Sequence, residues 1–145
     1  MIRRFATALW KGSLKEGGGV VSTQSKVINN LAYGVPSRFG EGVVENNTNP
    51  EELIAAAHAG CYSMALSAQL GTVNLVPKSI NTTATLEMIK EDAGWTIKQI
   101  NLKCVANVPG ASKDLFLEKA KQAKEGCPVS KVLKCQISLD ASLEN

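Results

Sequence analysis

At 145 residues the chain has the length of one ordinary domain, and its 44% hydrophobic content supplies a core without help from disulfides or metals. Sixteen Lys and Arg against thirteen Asp and Glu leave a diffuse +3, with few aromatics and no run of like charge, which argues against nucleic-acid binding. A membrane span is not expected either: the nearest window, Leu53 to Leu70, carries His58, Ser63, Ser67 and Gln69 and reads as a buried helix of a soluble protein.

In chain order, residues 1 to about 45 read as β structure. Phe5, Thr7 and Leu9 alternate with small or polar neighbours, Lys15 to Gly19 turns the chain, and Val20 to Thr23 resumes a strand. Lys11 arrives too soon after Arg3 and Arg4 for a secretory signal, so a cytoplasmic location is expected, where cysteines rest as thiols. Tyr33 to Gly40 is rich in breakers and reads as irregular, which puts Arg38 in or beside a loop; the other two arginines are Arg3 and Arg4. A long helix then has clear punctuation, with Asn49 as cap, Pro50 in the first position, Glu52 completing a capping-box pattern and Gly71 as stop. Apolar residues fall all round it, so it is expected to be central.

Ile80, Thr82, Ala84, Leu86 and Met88 share one strand face, and Ile100, Leu102, Cys104 and Ala106 share another across the turn Glu91 to Gly94. Ser112 caps a second helix from Lys113 to Glu125, ended by Gly126, and Cys127-Pro128 starts a further short one. In the last strand Cys135, Ile137, Leu139, Ala141 and Leu143 point inward. Strands, helix, strands, helices and strand in that order indicate an α+β fold in a single domain, 1–145.

The four cysteines differ by context. Cys104 and Cys135 occupy inward strand positions and read as core. With no C-x-x-C pair and one His in the chain, no metal site is expected, and no phosphate loop or other cofactor motif is present. Cys127 takes a helix cap position, where backbone N–H groups favour thiolate, although simple termination of one helix and start of the next explains it as well. Cys61 lies mid-helix in an apolar stretch, where burial alone would keep it a neutral thiol. His58 shares its helical face and reads as a packing residue.

Thr48 to Ser67, with Asn49-Pro50-Glu51-Glu52 and His58-Ala59-Gly60-Cys61 inside it, resembles the first cysteine motif of the osmotically inducible protein C family. Gly126 to Leu133 resembles its second, and Trp10-Lys11-Gly12, Val21-Ser22-Thr23 and Val108-Pro109-Gly110 match as well. The placement of Arg38 fits this branch and not its sister, the organic hydroperoxide resistance proteins. The resemblance covers essentially the whole chain. It implies that Cys61 is a peroxidatic thiol, that Cys127 resolves it, and that Arg38 and Glu51 complete the site. It also implies an intertwined homodimer in which antiparallel sheets enclose two long central helices.

The chemistry so implied is the reduction of alkyl or lipid hydroperoxides through a Cys61 sulfenic acid and a Cys61–Cys127 disulfide, reset by an external dithiol, a lipoyl-type one being a candidate. Arg38 would supply the cation a buried Cys61 needs, and Glu51 would hold the guanidinium in a bidentate pair. Ten residues of continuous helix separate Glu51 from Cys61 by about 15 Å, so either the chain bends near Pro50 or a second subunit supplies part of the site. Phe39, Tyr62, Met64 and Leu66 are candidates for an apolar substrate lining, with core packing as the alternative for Met64 and Leu66. The competing reading is a redox-sensing or ligand-binding dimer that uses the cysteine pair as a stabilising bridge.

Overall fold

Strand alternation and helix punctuation set the element order in the computed structural model, which describes residues 1–40 and 42–145. The elements are β1 (Ala6–Lys11), β2 (Gly18–Thr23), β3 (Leu31–Tyr33), α1 (Val35–Phe39), β4 (Asn47–Thr48), α2 (Pro50–Gly71), β5 (Ser79–Glu91), β6 (Gly94–Asn107), α3 (Lys113–Gly126), α4 (Pro128–Val132) and β7 (Gln136–Leu143). The α+β class expected from the sequence is the class observed. Two compact units divide the chain, Met1–Leu53 and Ile54–Asn145.

The first unit is a sheet in the order β1-β2-β3-β4. β1–β2 and β2–β3 are antiparallel and β3–β4 is parallel. Gly19 is required here: a Cβ at this position would lie 2.5 Å from both the Leu9 carbonyl oxygen and the Tyr33 ring. The segment expected to be irregular instead forms β3 and the one-turn helix α1. Pro36 presets φ in its first turn, and the Ser37 hydroxyl accepts from the Gly34 N–H at 3.1 Å. Asn49 caps α2 as its sequence suggests, its Oδ1 accepting the Glu52 N–H at 2.8 Å. Among the described residues of this unit, Thr48 is the one buried side chain, while Phe5, Leu9, Leu14, Val27 and Val43 are exposed.

The second unit holds the core. β5 and β6 form a long hairpin across Asp92-Ala93, with a register shift between Glu87 and Met88. The inward residues Ile100, Leu102, Cys104 and Ala106 of β6 are buried against Phe116, Ala120 and Ala123 of α3 and Tyr62, Leu66 and Leu70 of α2. Full burial of each larger side chain contributes about 1.5–3 kcal/mol. β7 pairs with β6 in parallel, not antiparallel as expected. The reason is connectivity: α3 and α4 carry the chain back to the end of the sheet where β6 begins, and a helical crossover delivers a parallel strand where a tight turn delivers an antiparallel one.

α2 is also more one-sided than its composition suggests. Its row His58, Tyr62, Leu66 and Leu70 is buried, while Ala56, Ala57, Gly60, Met64, Ser67 and Ala68 are exposed. No helix among the described residues is long and apolar enough to cross a membrane.

Candidate active site

Two groups of functional side chains are built by different parts of the fold. In the first unit, Arg38 lies in the last turn of α1 and Glu51 in the first turn of α2. Three hydrogen bonds hold these ends in register. The Ser37 hydroxyl donates to the Thr48 carbonyl oxygen at 2.7 Å, Asn49 Nδ2 donates to the Ser37 carbonyl oxygen at 2.9 Å, and the Thr48 hydroxyl donates to the Glu52 carboxylate at 3.1 Å. The Arg38 guanidinium then forks onto Glu51, with Nη2 donating to Oε1 at 2.7 Å and Nε lying 3.2 Å from each carboxylate oxygen. Its carbon also sits 5.0 Å over the Phe39 ring. The side chain of Glu51 is 13% exposed and that of Arg38 is 38% exposed, so the guanidinium is held on one side and open on the other. A fork fixed in this way is a ready receptor for a second anion. A mostly apolar hollow of about 200 Å³, lined by Ala8, Val21, Tyr33, Pro50 and Leu53 among others, opens in the same unit.

In the second unit, Cys61 of α2 meets Cys127, the residue that caps α4. The sulfurs are 2.9 Å apart across 66 residues of sequence, and both are free thiols. A disulfide bond is about 2.05 Å, so closure needs a shift of roughly 0.9 Å. Their environments differ. Burial pushes the Cys61 thiol up, and its hydrogen bond with Cys127 pushes it further. Burial opposes ionisation of Cys127 too, but there the hydrogen bonds prevail. Cys61, the backbone and side chain of Ser130 and the backbone of Val129 all favour its thiolate, and Cys127 ends below the usual cysteine range. Of the pair, Cys127 is therefore the more readily ionised within this unit. His58, one turn before Cys61 and fully buried, lies 2.8 Å through Nε2 from the Ser130 hydroxyl. Burial holds its pKa below the ordinary imidazole value.

Comparison with known proteins decides the family. The model of the OsmC-like proteins matches residues 42–142. Peroxiredoxin OsmC of Escherichia coli is 49% identical over 144 residues, covering 99% of each chain. The chain belongs to the OsmC-like protein family. The organic hydroperoxide resistance protein OhrB of Bacillus subtilis is a more distant relative of this OsmC-like chain, 30% identical over 76% of it and 78% of the relative. Among solved structures, an OsmC-like protein of unknown function from Vibrio cholerae shares the fold with a TM-score of 0.79 at 16% identity, covering 98% of this chain and all of that one. An organic hydroperoxide resistance protein from Elizabethkingia anophelis does so at 0.74 and 22% identity, covering 100% and 97%.

Of the residues singled out in the OsmC-like sequence, Arg38 lies against Glu51 and Cys61 against Cys127. Of the four residues named for a substrate lining, Phe39 lies beside Arg38 and the other three are placed differently. Tyr62 and Leu66 are fully buried in the core, the Tyr62 hydroxyl donating to the Ala120 carbonyl oxygen at 3.3 Å, and Met64 is 76% exposed on the opposite side of α2. Ser130 was not singled out at all. Its signal is a spacing: His58 and Cys61 are three apart on α2, and Cys127 and Ser130 are three apart at α4, which lets the two pairs face each other. Among the described residues no group of three or more His, Cys, Asp or Glu is arranged to hold a metal.

Cys104 is buried on β6, where burial raises its pKa, and Cys135 packs half-buried at the margin of the core. Cys104→Ser and Cys135→Ser are each expected to keep peroxide turnover within about twofold of wild type, with up to about 1–3 kcal/mol lost in the buried Cys104 variant. Loss of turnover in a folded variant of either would identify a thiol of the reaction mistaken for core.

Proposed function

We propose that this chain is a thiol-dependent peroxidase that reduces organic hydroperoxides to alcohols with Cys61 and Cys127. The observation that carries the reading is the 2.9 Å approach of two free thiols from opposite parts of the sequence, in a chain of the OsmC-like family. The Cys61 thiolate attacks one oxygen of the peroxide, the O–O bond breaks, and the departing alkoxide takes a proton. Cys61 is left as a sulfenic acid. Cys127 then attacks the Cys61 sulfur, the S–O bond breaks, water leaves and a disulfide forms. An external dithiol, lipoyl-type in the simplest case, returns both thiols by exchange.

Cys61 must carry the charge in the first step, yet within its own unit Cys127 is the more readily ionised of the two. A cation beside Cys61 reverses that order, and the Arg38 guanidinium clamped by Glu51 is the group we assign to this task. The open side of its fork would also steady the distal peroxide oxygen.

The working form in this proposal is an intertwined cytoplasmic homodimer. Two surfaces support it: the exposed Ala56, Ala57, Gly60 and Met64 face of α2, and a first unit with no buried apolar side chain among its described residues. Small residues on a helix allow close helix packing, and a unit of this size needs a core from somewhere. Sedimentation at micromolar concentration is expected to give twice the chain mass; a monomer would overturn the shared-helix arrangement. The enzymatic claim is tested by supplying cumene hydroperoxide with dihydrolipoamide. Consumption over many turnovers is expected, faster than with hydrogen peroxide. Consumption that stops at one equivalent per chain despite the dithiol would make the protein a redox sensor instead.

A further inference from the structure

Four side chains from two helices gather at the sulfur pair. α2 contributes His58 and Cys61, and the start of α4 contributes Cys127 and Ser130. Cys61 touches Cys127 at 2.9 Å, and His58 Nε2 touches Ser130 Oγ at 2.8 Å. Ser130 follows Cys127 by three residues, in the first turn of α4, and a hydroxyl donating to that sulfur would favour its thiolate. We infer that His58 and Ser130 are positioning residues for the resolving step: the His58 Nε2–H fixes the Ser130 hydroxyl as a donor to Cys127, which holds that sulfur ready to attack the oxidised Cys61. The inference rests on the proposed roles of the two cysteines and adds to them a control of the second chemical step.

The direction of the donor chain follows from an orphaned atom. Among the described residues, His58 Nδ1 is the buried side-chain nitrogen or oxygen with no hydrogen-bond partner. A neutral imidazole carries its proton on one nitrogen. A proton on Nδ1 would leave a buried donor unmade, whereas a proton on Nε2 leaves only an unused lone pair, and orphaned buried N–H groups are the rarer and more expensive of the two. With the proton on Nε2, the nitrogen donates to Ser130 Oγ. The hydroxyl has then accepted from the ring, and its own hydrogen is free to point at Cys127. Burial keeps the ring neutral, which preserves this arrangement. A buried His that only filled space would have no reason to aim a nitrogen at a hydroxyl from 72 residues away.

In the step itself Cys127 gives up its proton and attacks the sulfur of the Cys61 sulfenic acid. One S–S bond forms and one S–O bond breaks; Cys127 is oxidised, Cys61 is reduced, and the leaving hydroxide takes a proton to become water. The Ser130 donor raises the attacking thiolate fraction. Stabilisation also lowers the nucleophilicity of each thiolate, so a tenfold change in fraction appears as about a threefold change in rate.

The test is a single turnover of the reduced full chain with one equivalent of cumene hydroperoxide and no dithiol. Cys61 sulfenic acid is trapped with dimedone, and disulfide closure is followed by alkylation and mass. Ser130→Ala and His58→Phe are expected to form the sulfenic acid at the wild-type rate, close the disulfide about threefold more slowly, and yield more dimedone adduct. Ser130→Thr keeps the hydroxyl and His58→Gln keeps an N–H donor, so both are expected to restore closure. Should His58→Phe fail to fold, the serine pair decides. Wild-type closure in Ser130→Ala, with sulfenic acid forming normally, overturns this inference alone. Equal slowing by Ser130→Ala and Ser130→Thr overturns it too, since a lost donor would then not be the cause. Absence of any Cys61 sulfenic acid in the wild type overturns the underlying two-cysteine reading instead.

Discussion

Cys61→Ser is expected to lower turnover of cumene hydroperoxide by a factor of the order of 10³ or more while the fold survives. A serine hydroxyl is not ionised at neutral pH and does not attack an O–O bond at a useful rate, so nothing in the remaining site replaces the sulfur. The position is half-buried, and the substitution is close to isosteric. Its melting temperature is therefore expected to move by no more than a few degrees. Cys127→Ser makes the informative partner. It is expected to consume one equivalent of peroxide at close to the wild-type rate and then stall as the Cys61 sulfenic acid, detectable by dimedone. Normal turnover in Cys61→Ser with loss in Cys127→Ser would reverse the two roles. That reversal is a real alternative for the second unit considered by itself, because there Cys127 is the more readily ionised thiol.

The second large effect belongs to Arg38. A guanidinium close to a thiol lowers its pKa by about 1–3 units, which is a 10- to 10³-fold change in thiolate at a pH below both values. Arg38→Ala is expected to slow peroxide reduction by a factor in that range and to move the alkylation midpoint of Cys61 upward. The sign follows from charge: removing a cation destabilises the thiolate, so a higher pH is needed to form it. Arg38→Lys should fall between the two, since an ammonium keeps the charge but loses the fork that meets both Glu51 oxygens. Little stability should be lost, because a half-open ion pair of this kind contributes roughly 0–1 kcal/mol. Stopped-flow peroxide reduction and the pH dependence of Cys61 alkylation, measured on the same preparations, check both halves. Wild-type values for Arg38→Ala in both would show a surface charge without a part in the reaction.

Where local chemistry decides the structure, the sequence could be read directly. Asn49-Pro50 starts α2 and Ser112 starts α3 because an Asn or Ser side chain satisfies an N–H that the helix cannot. The inward and outward alternation of β5 and β7 appears residue for residue in their burial. Three features were hidden for physical reasons. α1 has five residues, too few for any helical period to show. The two faces of α2 differ little in composition, since Ala and Gly serve a buried or an exposed surface alike, and only packing tells them apart. Parallel pairing of β7 leaves no trace in alternation, because the pleat is the same in either direction.

The candidate site divides in the same way. Cys127 could be assigned to a cap from its neighbours Gly126 and Pro128, and so it is. The meeting of Cys61 with Cys127 follows from no local rule, and the resemblance to a known family supplied it before the geometry did. The His58–Ser130 contact spans 72 residues, and a lone His among alanines gave no reason to look for it.

The parallel crossover also sets an order of events during folding. β5 and β6 are neighbours in the chain and can pair as soon as their turn closes, whereas β6 and β7 join residues such as Gln99 and Gln136 only after α3 and α4 have been laid down between them. Cys127 travels with that late segment. In a growing chain Cys61 is therefore made well before Cys127, the thiol proposed to resolve it. During that interval a sulfenic acid on Cys61 would have no thiol beside it and would be open to the irreversible steps of sulfur oxidation.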